Sequence, residues 1–392
     1  MKTLNVLFAG ALLFTMSCKG NSKNDTVLLN ESATEMETVA HKDLLTVKKQ
    51  NTIKVALLLD TSNSMDGLIH QAKAQLWEII NELSYAKCDN VKPKLEIALY
   101  EYGNSTLSPE EGYIRQVLGF SNDLDEISEK LFSLTTSGGS EFCGHVIQTS
   151  MNELNWGTNP KDLKLLFIAG NEPFTQGKVN YRDAITNAIE KDVVINTIFC
   201  GNYQQGISGM WKDGAVQGKG DYMTIAHNRN IVYVKTPYDQ KIMQYNTQLN
   251  KTYIAYGSRG NYKVTQQATQ DFNANSINEE IAVDRAVSKS SSFYTNSSWD
   301  LVDGIANDSV KLEELTEAEL PKELKGKSKE EILAYVEKQQ KTRKEIQRNI
   351  RELDAKRKAY ISQKSKKDGK DDLESAMINA IKTQAARKNY KW

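Results

Sequence analysis

The sequence predicts an α/β fold: a doubly wound, mostly parallel sheet with an α-helical region C-terminal to it. Three observations carry that expectation. The runs 53–59, 163–169 and 193–200 are largely apolar, of strand length, and lack the alternation of a half-solvated strand. Amphipathic stretches of helical period lie between them. Beyond residue 236 the strand-like runs stop and the chain becomes polar.

Taken in order, residues 53–59 are apolar apart from Lys54 and read as a buried parallel strand. Residues 67–83 then place Leu68, Ile69, Ala72, Leu76, Ile79, Ile80 and Leu83 at helical spacing. A strand is expected over 95–102, short helices over 127–134 and 143–154, and a second buried strand over 163–169. A helix over 181–191, a strand over 193–200 and a last strand over 231–234 complete the series. Such alternation implies right-handed crossovers, with ligand sites in the loops at the carboxyl ends of the strands.

After residue 236 a helix is expected within 237–257, and residues 261–286 look helical but weakly apolar. Residues 288–298 are polar and serine-rich, with an anchored segment at 299–303. The clearest periodicity comes last. Ile332, Val336, Gln339, Arg343, Ile346, Ile350, Leu353, Arg357 and Tyr360 alternate steps of four and three, a heptad seam interrupted by polar residues. A helix over 329–363 would extend roughly 50 Å at about 1.5 Å per residue. A charged break containing Gly369 separates it from a second helix over 372–389, and an antiparallel hairpin of the two is one arrangement. The seam serves either a coiled-coil interaction arm or a helix packed on its own domain; its polar members favour the latter.

The chain has 392 residues, more than one typical domain, and balanced charge, with 50 Lys+Arg against 50 Asp+Glu. No global field draws it to nucleic acid. Lys2 and the apolar run 6–14 read as an export signal, far short of the roughly 20 residues that span a bilayer. The run ends in Thr15-Met16-Ser17-Cys18, which resembles a lipobox and implies lipidation of Cys18; a plain secretory signal is the alternative. The organisation expected is a leader at 1–18, a flexible tether at 19–50, an α/β domain at 51–236, a mainly helical extension at 237–314 and a long-helix region at 315–392.

The residues that carry chemistry begin with Asp60-Thr61-Ser62-Asn63-Ser64, directly after the first buried strand. A carboxylate at a strand end and two hydroxyls on the following turn supply part of the oxygen octahedron that Mg²⁺ requires. The same residue types also cap helices, and both roles are compatible. The pentapeptide resembles the Asp-x-Ser-x-Ser signature of the von Willebrand factor A family. Thr136-Ser137-Gly138-Gly139-Ser140-Glu141 resembles that family's Gly-Gly-Thr loop, with Ser140 in place of threonine. Where the family usually has Thr-Asp-Gly at the end of the next buried strand, this chain has Ile168-Ala169-Gly170. Ala169 carries no acid, which leaves Glu172 as the acid to reach the metal directly or through water.

The resemblance covers roughly 52–234 and implies a Mg²⁺ (or Mn²⁺) site held by Asp60, Ser62, Ser64 and Ser140. In that topology Cys143 and Cys200 both lie on the metal side, so a Cys143–Cys200 disulfide is expected, with Cys88 too far away to pair. The function implied is that of a lipid-anchored cell-envelope protein, outer membrane preferred, which binds a protein partner through a carboxylate offered to the metal. His41, His70, His145 and His227 are scattered, and no nucleophile elbow, zinc pattern or P-loop is present, so an enzyme is not expected. The competing readings are a scaffold with a degenerate metal site that acts through its C-terminal helices, and a metal-assisted hydrolase.

Overall fold

Continuous apolar sequence places β1 (Thr52–Asp60) at the centre of a six-stranded sheet, where both faces are covered. The computed structural model describes residues 50–225, 234–365 and 373–392. The expected leader with Cys18, all but the last residue of the tether, and most of the strand expected at 231–234 lie outside those residues. The described residues belong to one compact unit, Lys48–Trp392.

From β1 the chain runs through α1 (Asp66–Leu83), the two-residue β2 (Lys87–Cys88), β3 (Lys94–Tyr102), β4 (Ile114–Ser121), α2 (Leu124–Phe132) and α3 (Cys143–Glu153). It continues through β5 (Leu163–Gly170), α4 (Tyr181–Glu190), β6 (Val194–Cys200), α5 (Tyr203–Ser208), α6 (Trp211–Gln217) and β7 (Lys219–Ile225). The sheet order is β4-β3-β1-β5-β6-β7, parallel throughout except for β4, which pairs antiparallel with β3. The order reverses between β3 and β5, so the carboxyl end of β1 is the topological switch point.

Alternate residues of β1 feed two cores. Val55 and Leu59 face one core with Trp77 and Ile80 of α1 and Ile127 and Leu131 of α2. Ala56 and Leu58 face the other, with Val146 and Ile147 of α3, Ile185 of α4 and Trp211 of α6. Two sheet strands differ from expectation. The edge strand β4 is only half-buried along most of its length and shows no clean alternation. In β7 only Met223 and Ile225 are buried, so neither edge strand carries the run that marks a central one.

The remaining helices are α7 (Asp239–Asn250), α8 (Gly260–Ile277), α9 (Glu279–Ser288), α10 (Leu301–Ala306), α11 (Lys329–Ser365) and α12 (Leu373–Ala386), ending in β8 (Tyr390–Lys391). They form a third layer in which α9 packs on α1 and α8 on α2, while α7 and α11 pack on α9 and on each other. The heptad seam of α11 faces inward: Ile332, Val336, Arg343, Ile346, Ile350 and Arg357 are buried. Arg343 bonds Asp300 and Asp303 at 2.6 and 2.8 Å, and Arg357 reaches Asp239 and Asp284 at 3.2 and 3.0 Å. The polar members of the seam are thus internal ion-pair anchors, and α11 packs on its own domain.

The hairpin of the last two helices is overturned. Met377, Ile381 and Ala385 of α12 join the α1 side of the sheet core, and Tyr390 of β8 pairs with Cys88 of β2. The apolar residues of α12 are buried in the core on that side of the sheet, so the end of the chain packs on the α/β unit.

Candidate functional site

The site is built at the carboxyl end of β1, from three loops that meet there. Asp60 ends β1 and is fully buried. Its Oδ1 accepts the Ser62 backbone N–H at 2.7 Å. Ser62 and Ser64 follow on the turn into α1, their hydroxyls 3.1 Å apart. The loop 136–141 is fastened beside them. Ser137 N–H donates to the Thr61 carbonyl at 2.9 Å, and Asn104 Nδ2 donates to the Thr135 carbonyl at 3.0 Å. Thr136 also bonds Asp66.

Two glycines let these loops close. Gly103 follows β3 with φ +79°, and a Cβ there would meet Asp60 Oδ1 and Glu141 Cγ, each at 2.8 Å. A Cβ on Gly139 would meet the Gly103 carbonyl oxygen at 2.5 Å. The close approach brings Glu141, 5% exposed, within hydrogen-bonding reach of the Asp60 carboxyl. Burial first, then the neighbouring Glu141 carboxyl, push the Asp60 carboxyl well above its ordinary value, while the Ser62 bonds oppose this.

Three oxygens in this neighbourhood are buried and have no hydrogen-bond partner among the described residues: Asp60 Oδ2, Glu141 Oε2 and Asn171 Oδ1. Asn171, on the loop after β5, donates from Nδ2 to Ser64 Oγ at 3.0 Å. Buried polar atoms without a partner are rare and costly, and a hard cation is one group that would satisfy all three. The donors are all oxygen, the chemistry of Mg²⁺ or Mn²⁺ rather than of a thiolate site. No cluster of three or more His, Cys, Asp or Glu with metal-holding spacing occurs among the described residues. The fit therefore depends on hydroxyl and amide oxygens beside two carboxylates.

No protein-family model matches the chain, and no curated protein does. Among solved structures, the conserved hypothetical protein BatB from Bacteroides thetaiotaomicron is similar at 15% identity and a TM-score of 0.35, over 45% of this chain and 91% of that one. The VWA domain of SpRpn10 is similar at 14% identity and a TM-score of 0.35, over 45% and 90%. Proximal thread matrix protein 1 from the mussel byssus, solved with a zinc-occupied MIDAS motif, is similar at 12% and 0.34, over 50% and 44%. Likenesses this loose carry nothing about function; the strand order, with Asp60 and its two hydroxyls at the switch point, decides the fold. It is a von Willebrand factor A-type fold.

Within this A-type domain the expected residues fall in different places. Asp60, Ser62 and Ser64 are together, and Ser140 adjoins Glu141 on the neighbouring loop. Glu172 is exposed, and its backbone carbonyl is what the structure uses, accepting Trp211 Nε1 at 2.8 Å. The loop after β5 meets the site through Asn171, one residue earlier, and the second carboxylate comes from Glu141. The sequence alone points to an acid after β5, at Glu172. The signal for Glu141 was its place directly behind the Gly138-Gly139-Ser140 hydroxyl loop.

The expected Cys143–Cys200 disulfide is absent; Cys88, Cys143 and Cys200 are free and buried. Both expected partners lie near the carboxyl ends of the strands, but Cys143 packs in the α3 core and Cys200 in the α1 core, on opposite faces of the sheet. Burial pushes both thiols up from their ordinary range. Beneath the site Tyr102 donates to the Ala169 carbonyl at 2.9 Å and lies 3.7 Å from Cys143 Sγ.

Proposed function

We propose that this chain is a cell-envelope lipoprotein whose A-type domain binds a protein partner through a divalent cation at Asp60. Asp60 and Glu141 would supply carboxylate oxygens, Ser62, Ser64 and Ser140 hydroxyls, and Asn171 an amide oxygen. The bound cation would offer an open coordination position to a carboxylate of the partner. The observation that carries this reading is that three buried oxygens on the loops adjoining at the switch point have no hydrogen-bond partner among the described residues. Magnesium is the cation favoured by an all-oxygen set, with manganese interchangeable.

A non-catalytic role fits the same residues. Burial pushes the Cys143 and Cys200 thiols up, away from the thiolate form that a nucleophile needs. The scaffold alternative, acting through a free helical arm, is disfavoured by the inward-facing seam of α11. No helix among the described residues is long and apolar enough to cross a membrane. Attachment is assigned to lipidated Cys18, with the outer membrane preferred.

Manganese relaxation of bulk water tests the adhesion reading. Bound Mn²⁺ should enhance proton relaxation, and a short Glu-containing peptide should lower that enhancement by displacing coordinated water. A peptide-insensitive enhancement would contradict an open position for the partner. For the anchor, palmitate incorporation that persists in Cys18→Ser would contradict lipidation at that residue.

A further inference from the structure

At the opposite end of the sheet, the amino ends of the strands, a cavity of about 820 Å³ opens between the C-terminal end of α1 and the β2–β8 pair. The eight residue steps of β1, at about 3.3 Å each, put it roughly 26 Å from Asp60. Its walls include Lys87, Lys92 and Lys391, all exposed, and the aromatic rings of Tyr85 and Trp392, each 39% exposed. The carboxylate among the described lining residues, Asp89, is bound by Lys161 at 2.8 Å. Glu82, nearby on α1, is engaged by Lys358 and Lys382. Three lysines thus line the cavity, and the nearby acids Asp89 and Glu82 are each engaged by lysines outside it.

The aromatic walls are held in place. Tyr85 donates to Asp354 at 3.1 Å, and Trp392 Nε1 donates to the Glu82 carbonyl at 3.0 Å. Lys358 lies 4.6 Å from the Tyr85 ring centroid and Lys382 lies 5.7 Å from that of Trp392. The backbone is unusual here as well: Asp89, Asn90 and Asn389 all adopt left-handed φ, at 52°, 63° and 64°. Asp and Asn tolerate this conformation, and Asp89 and Asn90 form the tight turn between the bridged residues Cys88 and Val91.

We propose that this cavity is a second binding site, for an anionic sugar whose acidic group pairs with Lys87, Lys92 and Lys391 while its ring lies against Trp392 and Tyr85. Lysines act as point charges toward phosphate or carboxylate, and amphipathic aromatic rings offer flat apolar walls. The concave form suits a saccharide unit of a polymer or glycolipid better than a flat bilayer. The site is independent of the Asp60 reading.

Glucose 6-phosphate, glucose and inorganic phosphate, titrated against the full chain and followed by tryptophan fluorescence and amide NMR shifts, test this. Glucose 6-phosphate should bind at least tenfold more tightly than glucose or phosphate, and more weakly as salt is raised. Lys87→Glu with Lys92→Glu should weaken it at least tenfold with the melting temperature unchanged, and Lys322→Glu should have no effect. Trp392→Leu should weaken the sugar phosphate but leave inorganic phosphate unchanged. Equal binding by the double charge reversal, or no saturable response, would overturn the proposal. Flotation with phosphatidylglycerol vesicles in the absence of sugar-phosphate binding would also overturn it, in favour of a membrane surface.

Discussion

The Asp60 and Glu141 carboxyls meet at the end of β1, and each keeps one buried oxygen without a hydrogen-bond partner among the described residues. Two acids brought together in a dry setting repel one another unless a proton or a cation stands between them. The folded chain accepts that cost where its topology places ligands.

Gly103 makes the meeting possible. Gly103→Ala forces a Cβ against both Asp60 Oδ1 and Glu141 Cγ on a left-handed backbone. Metal affinity should fall at least tenfold, and calorimetry with Mn²⁺ checks it. Wild-type affinity in this variant would show that the close approach is not needed.

Loss of one partner from the buried ion pairs that fasten the helical layer should be strongly destabilising. Arg343 is 4% exposed and serves both Asp300 and Asp303, so Arg343→Met leaves two acids without their cation. Removing one partner of a buried pair costs about 3–5 kcal/mol. Urea unfolding should show a loss of that order, whereas exposed Arg348→Met should change little.

Asp271 gives the pH dependence its sign. Burial alone would raise this carboxyl, but the Lys289 and Arg285 charges and the hydrogen bonds from Lys289 and Asn250 outweigh it and hold it well below its ordinary value of 3.8. A depressed folded value stabilises the fold above the unfolded value and ceases to do so as pH falls through the folded one. The stability gap between wild type and Asp271→Asn should therefore be constant from about pH 5 to 7 and shrink below about pH 4. A gap that widens in acid would contradict the assignment.

The thiols should be silent in the native state. Cys88, Cys143 and Cys200 should react with a maleimide only after denaturation, whether or not reductant was present beforehand. Protection from labelling after denaturation without reductant, but not with it, would reveal a disulfide instead.

Much of the A-type fold was legible because β1, β5 and β6 are central strands whose apolar runs need no partner to be recognised. The edge strands β4 and β7 were missed because their residues answer to one neighbour and to solvent. The inward seam of α11 was readable, its arginines included, since Arg343 and Arg357 keep the heptad phase. The destination of α12 was not, because its contacts lie with α1 and β7, far earlier in the chain. At the site, Asp60, Ser62 and Ser64 are local in sequence and could be found. Glu141 and Asn171 come to them only through the loops that Gly103 and Gly139 allow to close.

Titration calorimetry with Mg²⁺ on wild type, Asp60→Ala, Glu141→Gln and Glu172→Gln is the most direct test of the metal site. Saturable binding in wild type and Glu172→Gln, a loss of at least tenfold in Glu141→Gln, and no binding in Asp60→Ala is the result expected. Absence of metal-dependent heat in wild type, or binding that survives Glu141→Gln but not Glu172→Gln, would contradict it.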